Sequence, residues 1–195
     1  WMSIGRAYDV VAMTATDNTL IAVDAHNQLW SRPPLAWSIP WQHVGYAPND
    51  VVTIAMMQDS LLAIDKNDQL WMRSQPFSGL WHYLGKAIDN AEAMAFVDGK
   101  LFAVDQKNQL WMRQPGGYQD WQPLGDSRGI MGAALIDRQL FVIDKNDKLW
   151  KHDLDQLWDE DWQIIGHFED VVALTAVNDK LFIVDKNDKL WSQVH

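Results

Sequence analysis

The sequence predicts an all-β fold, a five-bladed β-propeller with four antiparallel strands in each blade. An eleven-residue motif of two apolar runs around a polar turn recurs five times, and tryptophans repeat with a period of about 40 residues. Periods in this range are typical of solenoids and propellers, and no stretch shows helical periodicity. The five copies of the motif are LIAVDAHNQLW (Leu20 to Trp30), LLAIDKNDQLW (Leu61 to Trp71), LFAVDQKNQLW (Leu101 to Trp111), LFVIDKNDKLW (Leu140 to Trp150) and LFIVDKNDKLW (Leu181 to Trp191).

Each copy of the motif has the residues of a β-hairpin, because an Asp opens its polar segment and Asn or Asp stands three residues later. An Asp in that place accepts hydrogen bonds from backbone N–H groups two residues on, and Asn and Asp tolerate the left-handed conformation of tight turns. A calcium loop would need a Gly and a distant Glu, which the motif lacks. We therefore interpret the motif Asp residues as turn formers and the Trp that ends each copy as packing between blades. The motif Asp residues are Asp24, Asp65, Asp105, Asp144 and Asp185.

A second set of tryptophans opens a WxxΦG pattern, in which Φ is aliphatic, and predicts the outermost strand of each blade. After a short loop, an apolar run such as VVAMTA (Val10 to Ala15) predicts the innermost strand, and the motif hairpin supplies the two strands between them. These outer tryptophans are spaced 40, 40, 40 and 41 residues apart and are Trp1, Trp41, Trp81, Trp121 and Trp162.

The two ends of the sequence predict how the ring closes. The sequence opens on an outer strand, WMSIG, and its last unit stops after LWSQVH without one. We expect the N-terminal strand to complete the fifth blade, which leaves no open sheet edge between the ends. This arrangement predicts a single propeller domain, residues 1–195, with blades at about 8–47, 48–87, 88–127, 128–168, and 169–195 together with 1–7.

Composition and charge exclude several classes of partner. The chain of 195 residues has no cysteine, which excludes thiol catalysis and thiolate metal sites. Its net charge of −10 argues against nucleic acid and against an anionic membrane surface, because both need a basic face. No apolar run approaches the ~20 residues of a membrane-spanning helix, so we expect no membrane insertion. The chain begins at Trp1, so a leader or a preceding domain would lie outside the sequence, and secreted and cytoplasmic locations both stay open.

Catalysis has little support in the sequence. Propellers that hydrolyse glycosides use paired carboxylates near the axis, whereas the five inner-strand runs offer only Glu92. The six histidines form no HExxH or HxH pair, and no serine lies in a GxSxG context. We therefore expect a non-enzymatic monomer without a cofactor or a metal.

Several features together resemble the tachylectin-2 and tectonin type of small propeller lectin. They are the outer strand that opens on Trp and ends in ΦG, the Pro33-Pro34 pair ahead of Trp41, and strands such as LFAVD. The resemblance covers the whole chain as architecture, although the family's Gly-Gly-Trp is replaced here. It implies binding of N-acetylated amino sugars in one shallow site per blade, formed between neighbouring blades with the loop from the outer strand to the next inner strand.

The residues that the resemblance and the chemistry select are a ring of tryptophans and loop acids. A sugar presents an apolar C–H face that stacks on an aromatic ring, and hydroxyls that need acceptors. Five weak sites on one ring would gain by avidity on a clustered glycan. The fourth blade departs from the pattern, with Ser127-Arg128-Gly129 where the others have their acid. The predicted ligand-binding residues are the five outer tryptophans, the loop residues Asp9, Asp50, Asp89, Asn90 and Asp170, and the linker tryptophans Trp37 and Trp158.

Two alternatives stay open at this point. The variable linkers ahead of the outer strands are placed to recognise a protein partner, either alone or as one domain of a larger protein. The identical DKNDKLW strings in blades four and five also fit a reconstructed or designed ring, and equally a recent duplication in nature.

Overall fold

The structure, a computed structural model, describes residues 1–34, 38–48, 50–97, 99–115, 120–127, 129–153 and 162–193. These residues form twenty β-strands in five antiparallel sheets of four strands each. One edge strand of every sheet, the innermost, lines a common central channel of about 200 Å³, so the sheets are the blades of a propeller. The predicted all-β, five-bladed propeller is confirmed. None of the described segments is a helix with the length and apolar character needed to cross a membrane.

Each blade is built from strands in the order inner, middle, middle, outer. Blade one contains β2 (Val10–Thr16), β3 (Thr19–Asp24), β4 (Gln28–Arg32) and β5 (Gln42–Tyr46). Blade two contains β6 (Val51–Met57), β7 (Ser60–Asp65), β8 (Gln69–Arg73) and β9 (His82–Lys86). Blade three contains β10 (Ala91–Val97), β11 (Lys100–Asp105), β12 (Gln109–Arg113) and β13 (Gln122–Asp126). Blade four contains β14 (Ile130–Ile136), β15 (Gln139–Asp144), β16 (Lys148–Asp153) and β17 (Gln163–His167). Blade five contains β18 (Val171–Val177), β19 (Lys180–Asp185), β20 (Lys189–Ser192) and β1 (Met2–Arg6).

The N-terminal strand closes the ring, as the sequence predicted. Strand β1 pairs antiparallel with β20, with Met2 opposite Ser192 and Ser3 opposite Trp191. Ile4 is the bulged residue of this pairing and is 4% exposed, because it points into the apolar cluster between blades five and one. The closure therefore covers a sheet edge and adds a core side chain at the same place.

The glycine that ends the WxxΦG pattern has a structural role in blades five and one, where the outer strand has a bulge. Gly5 and Gly45 have φ of 134° and 127°, a region that residues with a Cβ rarely enter. An added Cβ on Gly5 would lie 3.1 Å from Nη1 of Arg32, whose Nη2 donates to the Ile4 carbonyl at 3.2 Å. Burial lowers the pKa of the Arg32 guanidinium. The absence of a side chain at Gly5 thus leaves room for Arg32 of blade one to donate a hydrogen bond to the neighbouring blade five.

Each motif Asp holds the hairpin turn inside its blade. Its Oδ1 accepts hydrogen bonds from the backbone N–H groups two and four residues later. Its Oδ2 accepts a hydrogen bond from the indole N–H of the Trp six residues later. All fifteen distances lie between 2.8 and 3.1 Å. The residue three positions after the Asp has φ between 58° and 63° in every blade. The turn interpretation is confirmed, and the structure adds that the motif Trp is anchored to the same carboxylate as well as packed.

The pKa of one motif Asp reports this bonding. Burial by itself would raise the pKa of Asp105, but the Gln109 N–H, the Trp111 indole N–H, the Lys107 N–H and the Lys107 charge together hold it below its ordinary value. A carboxylate whose pKa is lower in the folded than in the unfolded chain stabilises the fold above its unfolded pKa, about 3.9. That contribution is lost as the pH falls through the folded pKa.

Replacing this carboxylate tests its role in stability. We expect Asp105→Asn to lower the free energy of unfolding by about 1–3 kcal/mol at neutral pH, because an amide nitrogen cannot accept the hydrogen bonds that a carboxylate oxygen accepts. The difference from the original chain should begin to shrink as the pH falls below about 4, where the Asp side chain of the unfolded chain becomes protonated, and should go on shrinking as the pH falls through the lower folded pKa. Urea unfolding at neutral and acidic pH measures both values, and an equal loss at the two pH values would contradict the role of the charge.

Candidate functional site between blades two and three

The loop that joins one blade to the next is bonded to hairpin turns on both sides. We call the contact surface between two neighbouring blades a seam, so that seam 2/3 lies between blades two and three. In the 86–90 loop, the Ala87 N–H donates to the Asp68 carbonyl of blade two at 2.7 Å. The Asn90 carbonyl accepts the Gln106 N–H of blade three at 3.0 Å. The loop therefore presents its side chains at seam 2/3 on a backbone that is fixed at both ends.

A recess of about 500 Å³ opens at this seam. The 86–90 loop, the turn of blade three and two tryptophans enclose it. Three residues that the sequence selected, Asp89, Asn90 and Trp121, come together here. The remaining lining residues are Lys86, Ala87, Ile88, Asp105, Gln106, Lys107, Trp111 and Asp120.

The recess combines charged, amide and aromatic groups. Asp89 forms an exposed ion pair with Lys86 at 2.5 Å, and this hydrogen bond and the Asp89 charge raise the pKa of Lys86. Asn90 has φ of 55°, and its N–H donates to Oδ1 of Asp68 at 2.7 Å. Trp121 is half-buried against the apolar cluster of seam 2/3, as is Trp111. Carboxylate and amide acceptors thus stand beside two indole rings.

Trp121 is held differently from two of its equivalents. The indole N–H of Trp41 donates to the Arg6 carbonyl and that of Trp81 to the Tyr46 carbonyl, both at 2.8 Å. Within the described residues, the buried indole N–H of Trp121 has no hydrogen-bond acceptor. Among the described residues, this ring is therefore held by packing and by no hydrogen bond of its indole N–H.

The other predicted loop residues share a backbone position with Asn90. Asp9, Asp50 and Asp170 have φ of 50°, 51° and 56°, and Gly129 takes the same place in the fourth blade with φ of 77°. Asp, Asn and Gly are the residues that tolerate this left-handed conformation. The departure of the fourth blade from the acidic pattern is therefore a change between residues with the same backbone preference. The Asp170 side chain also pairs with Lys186 at 2.8 Å.

The other outer tryptophans make different contacts from blade to blade. Trp41 and Trp81 bond to the last residue of the outer strand of the preceding blade, Arg6 of β1 and Tyr46 of β5. Trp1 is 39% exposed and meets Phe168 edge-on, with ring centroids 4.8 Å apart. Trp162 stacks on His152 with centroids 4.9 Å apart and an angle of 22°. The linker tryptophans Trp37 and Trp158 lie outside the described residues.

Sequence reasoning missed the contribution of the hairpin turn to this recess. Gln106 and Lys107 belong to the hairpin turn of blade three, and they form one wall of the recess. The repeat carries a signal for this wall, because the two positions after the motif Asp vary between blades while the Asp and the closing Leu-Trp are the same in all five. The first of these positions is the one that lies beside the inter-blade loop. Its residues are Ala25, Lys66, Gln106, Lys145 and Lys186. Among the described residues no three His, Asp or Glu side chains are grouped in a way that could hold a metal ion.

Comparisons with known proteins show the fold class alone. No protein-family model and no curated protein sequence matches the chain. It is similar to a chain of the nidogen/laminin complex, with 12% identity and a TM-score of 0.63, over 91% of this chain and 72% of that one. It is also similar to the computationally designed Ika8 protein, with 13% identity and a TM-score of 0.52, over 94% of this chain and 58% of that one. The class is a five-bladed propeller, and at these identities nothing about a ligand follows.

The different anchoring of the outer tryptophans gives a matched pair of variants. Trp81→Phe removes the indole N–H that bonds to Tyr46, so it should cost about 1 kcal/mol more in the free energy of unfolding than Trp121→Phe. Urea unfolding of the two variants measures the difference, and the loss of ring area is the same in both. Equal losses would mean that the bond to Tyr46 contributes nothing.

Proposed function

We propose that the protein is a non-enzymatic, carbohydrate-binding propeller that binds N-acetylated amino sugars, and that the recess at seam 2/3 is one of its sites. The observation that supports this proposal is the meeting of Trp121 with Asp89 and Asn90 in one recess. These residues come from an outer strand and from an inter-blade loop that lie more than 30 residues apart in the sequence.

The recess suits a sugar for two physical reasons. The half-buried indole rings of Trp111 and Trp121 offer apolar surface for the C–H face of a pyranose ring. The Asp89 carboxylate and the side-chain amides of Asn90 and Gln106 are acceptors and donors for hydroxyl and acetamido groups. Because the site is open and partly charged, each sugar binds weakly, and equivalent seams on the same ring would add by avidity.

A titration of intrinsic tryptophan fluorescence tests this proposal. N-Acetylglucosamine should change the emission of the original chain in a saturable way at millimolar concentration. Asp89→Asn should weaken binding by about tenfold, because a charged acceptor is lost while size is kept. Asp17→Asn is the matched control, since Asp17 lies in an exposed turn away from the recess and should leave affinity unchanged.

Two results would overturn the proposal. One is the absence of a fluorescence change with any amino sugar at millimolar concentration. The other is unchanged affinity in Asp89→Asn, which would remove seam 2/3 as the site.

A protein partner is the second candidate, and the outer wall of the ring favours it. Tyr83, Leu124 and Ile164 on the outer strands are 55%, 51% and 55% exposed. These three side chains lie on the outer strands of consecutive blades, and exposed apolar surface of this kind is used in protein interactions. The similar chain from the nidogen/laminin complex belongs to a protein assembly, which agrees with this use of the fold. Capture of a partner that Leu124→Ser abolishes, with sugar binding absent, would favour this candidate over the first.

A further inference from the structure

Seam 3/4 differs from the other four seams of the ring. Each of the others is filled by a cluster of buried apolar side chains. At seam 3/4, Phe102, Leu110 and Leu140 are only partly buried. Their counterparts in blade five, Phe182, Leu190 and Leu181, are each 0% exposed. Blades three and four therefore leave apolar surface between them that the repeat covers elsewhere.

The space between these blades is a cavity of about 430 Å³. Its walls are predominantly apolar, and Ala133, Phe102, Leu140, Val142 and Trp162 are among the residues that form them. A second space of about 310 Å³ adjoins it, because Leu110, Ile130, Val142 and Trp162 line both. Sites for small molecules in proteins measure about 300–1,000 Å³ and are mostly apolar, so the cavity is of ligand size.

One residue of the repeat accounts for much of the cavity. The fourth position of the inner strand holds a large apolar side chain in the other blades, and each of these side chains belongs to a seam cluster. These residues are Met13, Ile54, Met94 and Leu174. Blade four has Ala133 in that place, and Ala133 lines the cavity. A large-to-small change inside a packed seam leaves a space unless the neighbours collapse into it.

The neighbouring residue prevents that collapse. Gly132 occupies the position that holds Ala12, Thr53, Ala93 and Ala173 in the other blades. A Cβ added to Gly132 would lie 3.3 Å from the Cβ of Leu174 in blade five. Blade four is thus packed closely against blade five. If blade four moved toward blade three to fill the cavity, it would leave a gap at seam 4/5 instead.

The two ends of the gap differ in charge. Lys100 and Arg138 line it where β11 and β15 begin, and none of the described residues that line this larger space is acidic. Asp126 and Asp144 line the adjoining space, and Asp144 ends β15. The gap therefore has a cationic end, an apolar middle and an acidic end.

Two buried polar atoms near the acidic end have no hydrogen-bond partner among the described residues. The Ser127 side chain is 3% exposed on the residue scale, lines the adjoining space, and its Oγ has no hydrogen-bond partner within the described residues. Oδ1 of Asn108, whose backbone carbonyl accepts the Ser127 N–H at 2.6 Å, is likewise unbonded among the described residues, whereas Oδ1 of its counterpart Asn27 accepts the Val51 N–H at 3.0 Å. Buried polar atoms without partners are uncommon in native proteins, and here they accompany the incomplete apolar packing of seam 3/4.

We propose that seam 3/4 binds a small amphipathic carboxylate, with its alkyl chain between blades three and four and its head at Lys100 and Arg138. Burial of the chain removes its apolar surface and that of Phe102, Leu110 and Leu140 from water. The charge arrangement fixes the direction, because a carboxylate at the opposite end would face Asp126 and Asp144. This ligand is independent of the sugar proposed for seam 2/3.

Isothermal titration calorimetry with decanoate, below its micelle concentration, tests the inference. Decanoate should bind saturably with one site per chain and raise the melting temperature. Decanol should bind more weakly, and decylamine more weakly still, because its head carries the opposite charge.

Lys100→Gln should weaken decanoate binding by about two- to fivefold, since an exposed ion pair contributes little, and it should leave decanol binding unchanged. Lys66→Gln, which changes an exposed lysine in the turn of blade two, away from both proposed sites, is the matched charge control.

The role of the cavity is tested by placing at position 133 a large apolar side chain like those at the same position of the other blades. Ala133→Met and Ala133→Leu should raise the melting temperature of the free protein and abolish decanoate binding, with N-acetylglucosamine titrations unchanged. Ala25→Met, at an exposed turn, is the control for the added side chain and should change neither property. The inference is overturned if decanoate does not bind, if decylamine binds as tightly, or if both folded Ala133 variants bind decanoate with full affinity.

Discussion

The carboxylate of the motif Asp is the group on which each blade depends. One side chain accepts two backbone N–H groups of the hairpin turn and the indole N–H of the Trp that follows. Because the turn and the tryptophan share one acceptor, the direction of the chain after the middle hairpin and the position of a large ring are fixed together. The buried carboxylate is tolerated because both oxygens are bonded.

The constancy of that unit makes the differences between seams informative. Five blades with nearly the same hairpin face one another through side chains of the inner and middle strands, and small changes there decide whether a seam is closed. Ala133 and Gly132 leave seam 3/4 open while seam 4/5 is tight. A ring divides its packing among five interfaces, so one of them can be loosened while four remain filled.

Both proposed sites combine residues of the repeated hairpin with residues that differ between blades. The recess at seam 2/3 is formed by an inter-blade loop, by the variable residue after Asp105 and by the outer Trp121. The cavity at seam 3/4 depends on an inner strand that departs from the pattern of its siblings. In each case the rigid propeller contains a place where the residues depart from the repeat pattern, and such places are where ligand binding is expected in repeat proteins.

The sequence by itself determined the architecture, because a 40-residue period, alternating apolar residues and turn-forming Asp and Asn act locally within each blade. It also selected Asp89, Asn90 and Trp121 as site residues, although their placement in one recess was an inference from resemblance. Only the tertiary structure decided the rest: which seam is filled, which indole N–H is bonded, and that Asp9, Asp50 and Asp170 share a left-handed position with Gly129. The first two properties depend on the fit between side chains of different blades, and that fit is set when the ring closes through β1 and β20. The third depends on the backbone path of the loop between two blades, which their hydrogen bonds fix.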